Sequence, residues 1–103
     1  MRLEELEESY LLELNHDDAS KFIELVCITP QKSKKKISAW NTNLTPIVVE
    51  YMGLSFKSNF TTNENIHCLG EIESINSSNS GVILEGDFGC IKVTADNVSI
   101  EPI

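Results

Sequence analysis

The stretch VILEGDFGCIKVTAD, residues 82–96, decides the fold class that this sequence predicts. An apolar run at 82–84, followed by Glu85, leads into a turn at 86–89, and Ile91, Val93 and Ala95 then alternate with polar residues. Alternation with a period of two is typical of a strand with one buried face. A glycine-bounded turn between two such runs is typical of a β-hairpin. The stretch therefore predicts two antiparallel strands.

The rest of the chain carries similar short apolar runs between turn-forming residues. Residues 9–15 and 21–29 are predicted to pair as a hairpin, preceded by one helical turn. The alternative is a helix over residues 3–14, because the leucines there fall near helical spacing. Further features are predicted along the chain: strands at 37–40, 47–52, 66–75 and 98–100, a bulge or kink at Gly53, resumed alternation at Leu54 and Phe56, a loop at 76–81 and a bulge at 96–97.

These runs amount to seven or eight short strands, and no helical pattern of crossover length separates them. The predicted fold is therefore all-β, with at most one short N-terminal helix. We expect an antiparallel meander of seven to eight strands that forms a sandwich or a partly closed barrel. At 103 residues the chain is expected to be a single domain, 1–103.

The charge balance is strongly acidic, with sixteen Asp and Glu against eight Lys and Arg and a net charge of −8. Binding to nucleic acid depends on neutralising phosphates, so direct binding to nucleic acid or to an anionic membrane is not expected. A cationic protein partner suits this charge, although acidity alone also keeps a protein soluble. The N-terminal residues show no apolar signal core, which favours a cytoplasmic location.

Half of the positive charge lies in one short cluster, Lys32, Lys34, Lys35 and Lys36. The cluster follows Pro30, which ends the second predicted strand, so we expect it in an exposed loop. Solvated lysines blunt a sheet edge, and they could also contact an acidic patch or a phosphate on a partner.

The sequence offers no pattern for catalysis, a metal or a cofactor. Three widely spaced cysteines, Cys27, Cys68 and Cys90, indicate free thiols rather than a disulfide framework. His67 and Cys68 are adjacent, so on a strand their side chains point to opposite faces. We therefore expect no enzymatic activity, no catalytic residues, no metal site and no cofactor.

Paired carboxylates and the single tryptophan are the candidate binding residues. Asp17 and Asp18 lie in a predicted loop, and Glu71 and Glu73 share one face of a predicted strand, about 7 Å apart. Solvent exposure is the ordinary state of such carboxylates. Trp40 is expected to anchor the core, and if exposed it would be an interface anchor.

Two stretches, residues 47–54 (IVVEYMGL) and 89–100 (GCIKVTADNVSI), resemble the small β-rich immunity proteins of bacterial polymorphic-toxin and contact-dependent growth inhibition systems. The resemblance implies a cytoplasmic inhibitor that occludes the active site of one cognate toxin, often a nuclease such as an RNase. An acidic face of Asp17, Asp18, Glu71 and Glu73, with Trp40 as an anchor, would then bind a basic active site. The alternatives are a phage-type inhibitor that mimics nucleic acid and a small-ligand-binding β module.

Overall fold

The computed structural model describes residues 3–16, 19, 21–53, 60–61 and 67–103. These residues form one 3₁₀ turn and ten strands, with no α-helix among them. The elements are η1 (Leu3–Leu6), β1 (Tyr10–His16), β2 (Phe22–Ile28), β3 (Lys34–Trp40), β4 (Val48–Met52), β5 (Phe60–Thr61), β6 (His67–Cys68), β7 (Gly70–Ser78), β8 (Gly81–Gly86), β9 (Gly89–Thr94) and β10 (Asn97–Pro102).

The all-β prediction is confirmed. Eight strands form one antiparallel sheet in the order β10-β3-β2-β1-β7-β8-β9-β4, which does not close into a barrel, and β5 pairs only with β6. The N-terminal hairpin of β1 and β2 is confirmed, and the alternative of a helix over 3–14 is wrong. Among the described residues the helical segment is η1, and its four residues are too few and too polar to cross a membrane.

The sheet consists of two four-stranded halves, β10-β3-β2-β1 and β7-β8-β9-β4, joined through β1 and β7. The joint is narrow, because only Tyr10 with Glu71 and Leu11 with Gly70 pair across it. The ladder shifts register at Leu12 in β1 and at Glu73 in β7, which is the mark of a β-bulge on each side of the joint. Since bulges bend and twist a strand, they let the two halves turn toward each other.

One apolar core fills the space between the two halves. Fully buried side chains from both halves contribute to it, including Leu25 and Ile37 from one half and Leu84 and Ile91 from the other. A single flat layer could not exclude water from them, and the smallest dimension of the molecule, 20 Å, fits two layers about 10 Å apart with their side chains. The outward-facing side chains of the described strands are half-buried or exposed.

The strand order has a pseudo-two-fold symmetry, which exchanges β1 with β7, β2 with β8, β3 with β9 and β4 with β10. The register matches as well as the order: the paired row Leu25–Ile37–Ile100 corresponds to Leu84–Ile91–Tyr51. Within this symmetry each half gives its last strand to the other half, because β4 pairs with β9 and β10 pairs with β3. The fold is therefore two meanders that exchange their final strands.

Three local predictions are wrong for identifiable reasons. Lys34, Lys35 and Lys36 do not lie in a loop but begin β3, since backbone pairing with β2 and β10 extends the strand beyond its apolar part. Residues 76–81 are not a loop, because β7 and β8 run into a tight turn at 79–80. The change in alternation at 96–97 is not a bulge. β9 ends at Thr94, and β10, which begins at Asn97, joins the other half of the sheet.

Phe88 lies in the turn between β8 and β9, and its side chain packs into the core. Its side chain is fully buried although it sits in a two-residue connection. Gly70 (φ +148°) and Gly86 leave room for the ring, because a Cβ at either would lie 3.4 Å or less from an atom of it. A Cβ on Gly86 would also collide with the carbonyl oxygen of Glu71. The turn is thus part of the core.

Candidate partner-binding surfaces

An acidic surface lies where the two halves of the sheet join. We call it the acidic seam, and it comprises Glu7, Glu8, Glu71, Glu73, Glu85 and Asp87. Backbone contacts gather these residues: the Glu8 N–H donates to the Ile72 carbonyl at 2.8 Å. The Glu71 N–H donates to Asp87 Oδ2 at 3.2 Å, and the Asp87 N–H donates to the Glu71 carbonyl at 3.2 Å. Glu85 sits opposite Ser74, one residue beyond the Glu73 bulge.

The carboxylates of the acidic seam form no ion pair in the part of the chain that the structure describes. Five of its six side chains are exposed and Glu71 is half-buried. Within the described ranges no lysine forms an ion pair with any of them, whereas Glu24, on another strand, pairs with Lys36 at 3.4 Å. An exposed group of like charges without ion pairs favours the approach of a cation.

The structure brings together only part of the predicted acidic face. Glu71 and Glu73 belong to the acidic seam, and the neighbouring carboxylates Glu7, Glu8, Glu85 and Asp87 were missed by the sequence analysis. Glu85 and Asp87 reach them through the pairing of β7 with β8, and Glu7 and Glu8 through the contact of the segment before β1 with β7. Asp17 and Asp18 lie outside the described residues.

Trp40 lies apart from the acidic seam. The expectation that it anchors the core is wrong, because its neighbours Ala39 and Ile37 point inward and its own half-buried side chain lies on the outer face. The strand that carries it, β3, is separated from β7 by two strands, or about 14 Å across the sheet. Trp40 instead pairs across the ladder with Phe22.

Phe22 and Trp40 line a surface groove of about 460 Å³ on the outer face of the first half. We call it the aromatic groove. Leu44, which is 66% exposed, extends its apolar wall, and the ion pair of Glu24 and Lys36 also lines it. Lys21 completes the positive side of the lining. The groove therefore combines an apolar wall with two ammonium groups and one carboxylate.

Neither described thiol sits in a reactive setting. Cys27 is fully buried in β2, and burial raises the pKa of its thiol to about 12. Cys90 is half-buried on β9, and both cysteines are free. In the described ranges no three His, Cys, Asp or Glu side chains are placed to hold a metal ion. The side chains of His67 and Cys68 lie outside the description.

Comparison with known proteins gives no relative: no family model, no curated protein and no solved structure matches this chain. The resemblance to immunity proteins therefore stays a prediction.

Proposed function

We propose that this chain is a non-enzymatic inhibitor that binds the basic active site of a toxin, in the manner of the cytoplasmic immunity proteins that it resembles. The single observation that supports this proposal is the acidic seam, where six carboxylates gather without a described ion pair. A nuclease, such as an RNase, holds phosphates with basic side chains, and clustered carboxylates can take the place of those phosphates. The partner is therefore a basic toxin, most simply a nuclease.

The binding set in this proposal is centred on Glu71 and Glu73, because both lie in the acidic seam. Asp17 and Asp18 remain predicted contributors. Trp40 would reach a different part of the partner, since two strands separate β3 from β7. Electrostatic attraction would speed the encounter and weaken as salt rises, because exposed charges are screened over about 8 Å at physiological ionic strength.

The test begins with a tagged pull-down from the source cells at low and at high salt, with mass spectrometry of the retained proteins. We expect one basic protein, retained better at low salt, whose nuclease activity appears only after it is separated from this chain. The double variant Glu71→Lys, Glu73→Lys should weaken that complex by tenfold or more, as removal of close interface charge pairs does. Retention of a partner with no enzymatic activity would contradict the proposal.

The matched control makes the same charge change elsewhere on the sheet. Glu50 and Glu101 are exposed carboxylates on the two edge strands, β4 and β10, outside the acidic seam. The variant Glu50→Lys, Glu101→Lys has the same net charge as the seam variant, so equal weakening by both would show attraction to overall charge and not to the seam. Competition by DNA or RNA for the retained partner would identify nucleic acid as what the seam imitates.

A further inference from the structure

The strand β10 forms one edge of the described sheet, because β3 lies on one side of it and no described strand lies on the other. Its ladder with β3 continues to Ile103, whose N–H donates to the Lys34 carbonyl at 3.1 Å. Hydrogen-bonded and non-hydrogen-bonded pairs alternate in an antiparallel ladder, so the odd-numbered residues of β10 direct their backbone groups at β3. The backbone N–H and C=O groups of Val98 and Ile100 therefore point to the open edge.

An open edge of this kind is complementary to another extended strand. Its N–H and C=O groups form the template on which a further strand pairs, and proteins commonly block such an edge with a charged side chain. The side chains on the core side of β10, Val98 and Ile100, are half-buried, so a further strand would also cover apolar surface. The backbone thus defines the occupant as a β-strand.

The pseudo-two-fold symmetry allows the two edges of the sheet to be compared. It makes β4, the other edge strand, equivalent to β10, with Glu50 in the place of Ser99. Antiparallel pairing of two β4 strands about their central residue would set Glu50 opposite Glu50 of the second copy, and directly opposed like charges are unfavourable. β10 has a neutral serine at that position, so it lacks this obstacle to pairing with itself.

The sequence of β10 is complementary to itself about Ser99. Antiparallel pairing of two copies there sets Val98 opposite Ile100 of the second copy, which extends the apolar rows of the core. It sets Asn97 opposite Glu101, a neutral residue opposite a carboxylate. The two Glu101 carboxylates are four residues apart along the strands, or about 14 Å, so no like charges meet. The second copy of this chain is therefore a strand that fits the edge.

Ser99 itself gives a second, independent observation. Its Oγ is a buried atom with no hydrogen-bond partner. Buried polar groups are hydrogen-bonded in the large majority of cases, so an unpartnered hydroxyl at the centre of an edge strand indicates a missing partner. In the self-paired arrangement the two Ser99 residues lie opposite each other as a non-hydrogen-bonded pair, with Cα atoms about 4.5 Å apart. A rotation about χ1 then lets the two hydroxyls bond each other.

We propose that this chain forms a two-fold symmetric dimer through β10, with the two β10 strands antiparallel and Ser99 on the axis. Val98 and Ile100 of each copy exchange backbone hydrogen bonds with their counterparts, and the sheet continues from one copy into the other. This surface is separate from the acidic seam, since β3, β2 and β1 lie between β10 and β7, and the proposal does not rest on the proposed inhibitor function.

Sedimentation velocity over a concentration series measures the association. Two six-residue strands make a small interface, so we expect a weak dimer with a Kd on the order of 100 µM that dissociates on dilution. Ser99→Glu introduces the central charge of β4 and should raise the Kd about tenfold or more. The matched control is Thr94→Glu, the same charge change at an exposed position of β9, inside the sheet, which should leave the Kd within about twofold. Circular dichroism verifies that both variants fold.

A cysteine on the axis tests the register. Ser99→Cys, in a background with Cys68→Ser and Cys90→Ser, should form an intermolecular disulfide under mild oxidation, because the Cα atoms of a non-hydrogen-bonded pair lie within the span of a disulfide. Glu101→Cys in the same background is the control, since its two thiols would lie about 14 Å apart along the strands. Non-reducing gel electrophoresis separates the cross-linked dimer from the monomer.

Several outcomes would overturn the inference. A monomer at every concentration up to about 1 mM would do so, as would equal weakening by Ser99→Glu and Thr94→Glu. Faster cross-linking at position 101 than at position 99 would contradict the register. A dimer that does not dissociate on dilution would assign the association to exchange of strands between copies.

The dimer and the inhibitor proposal fail separately. Both copies carry a net charge of −8, so the dimer should tighten as salt rises, whereas the complex with a basic toxin should weaken. The variant Glu71→Lys, Glu73→Lys should dimerise at least as well as the wild type, because β10 is unchanged. Ser99→Glu should leave binding of the toxin intact.

Discussion

At the scale of single residues, Cys27 shows how burial governs chemistry. Its thiol lies near the end of β2 with no solvent contact, and burial raises its pKa from 9.0 to about 12. The neutral thiol is thus kept in the folded protein, while the unfolded chain ionises near pH 9. Stability from this group is fully present below pH 9 and is lost as pH rises from 9 toward 12.

This shift predicts a pH-dependent difference between wild type and Cys27→Ala. Between pH 8 and pH 10 the wild type should lose about 1.4 kcal/mol more unfolding free energy than the variant, because only the wild type gains a thiolate on unfolding. Urea unfolding at the two pH values measures it. Cys27→Val, which restores some of the volume, should show the same pH dependence as Cys27→Ala. Parallel pH profiles of the unfolding free energy for all three proteins would contradict the raised pKa of the Cys27 thiol.

Residue-level patterns predict which side chains alternate but not what lies opposite them. Trp40 follows the buried Ala39 on a strand, so its outward direction could have been read from the sequence, yet its large apolar ring favoured the core. Phe88 was placed in a turn, correctly, but its burial depends on Gly70 and Gly86, which lie in two different strands. Such burial requires tertiary contacts that no local pattern contains.

At the scale of elements, the two crossing connections decide how the halves interlock. Residues 41–47 lead from β3 to β4, and residues 95–96 lead from β9 to β10. Asn41 ties them together: its Oδ1 accepts from the Asp96 N–H at 3.0 Å, and its Nδ2 donates to the Pro46 carbonyl at 3.0 Å and to Thr45 Oγ1 at 3.2 Å. One asparagine thus satisfies polar groups of both connections.

Asn41→Ala is therefore expected to destabilise the protein by about 1–2 kcal/mol, because several hydrogen bonds are lost at once. Chemical denaturation measures the change in unfolding free energy. Asn43→Ala, in the same loop and exposed, is the matched control and should change it by less than about 0.5 kcal/mol. Equal effects of the two substitutions would show that the hydrogen bonds of Asn41 to the two connections do not stabilise the fold.

Sequence patterns predicted most of the strands, since alternation and turn residues act over a few positions. They did not predict strand partners, because nothing local distinguishes β10 as a neighbour of β3 from β10 as a neighbour of β9. For the same reason the change of alternation at 96–97 predicts a bulge, where the chain instead passes from one half to the other. The sequence predicts the acidic seam only through Glu71 and Glu73, since the other carboxylates meet them through contacts of β7 with β8 and with the segment before β1.

At the scale of the whole molecule, strand exchange makes the two halves depend on each other. Residues 1–53 contain β4 without its partner β9, and residues 54–103 contain β10 without its partner β3. We expect each fragment to be unfolded or aggregated alone and the mixture to form a one-to-one β-sheet complex. Size-exclusion chromatography and far-ultraviolet circular dichroism of the separate and mixed fragments measure this.

The control places the break elsewhere. Fragments 1–87 and 88–103 would put a charged terminus on the buried Phe88, so they should not reassemble. A folded fragment 1–53 of monomeric size would contradict the interdependence of the halves, because its β4 would then be stable without β9.

The matched register of the two halves also bears on how such a protein can arise. A chain of half this length, present as two copies that trade their last strand, would suffice to specify the architecture, and fusing the copies would turn one gene product into both halves. Once fused, the copies no longer have to carry the same outward side chains. Phe22 and Trp40 could then arise where their counterparts, Gly81 and Thr94, did not change in step. Duplication followed by unequal divergence would explain why the paired rows of the core match between the halves while the outward side chains differ.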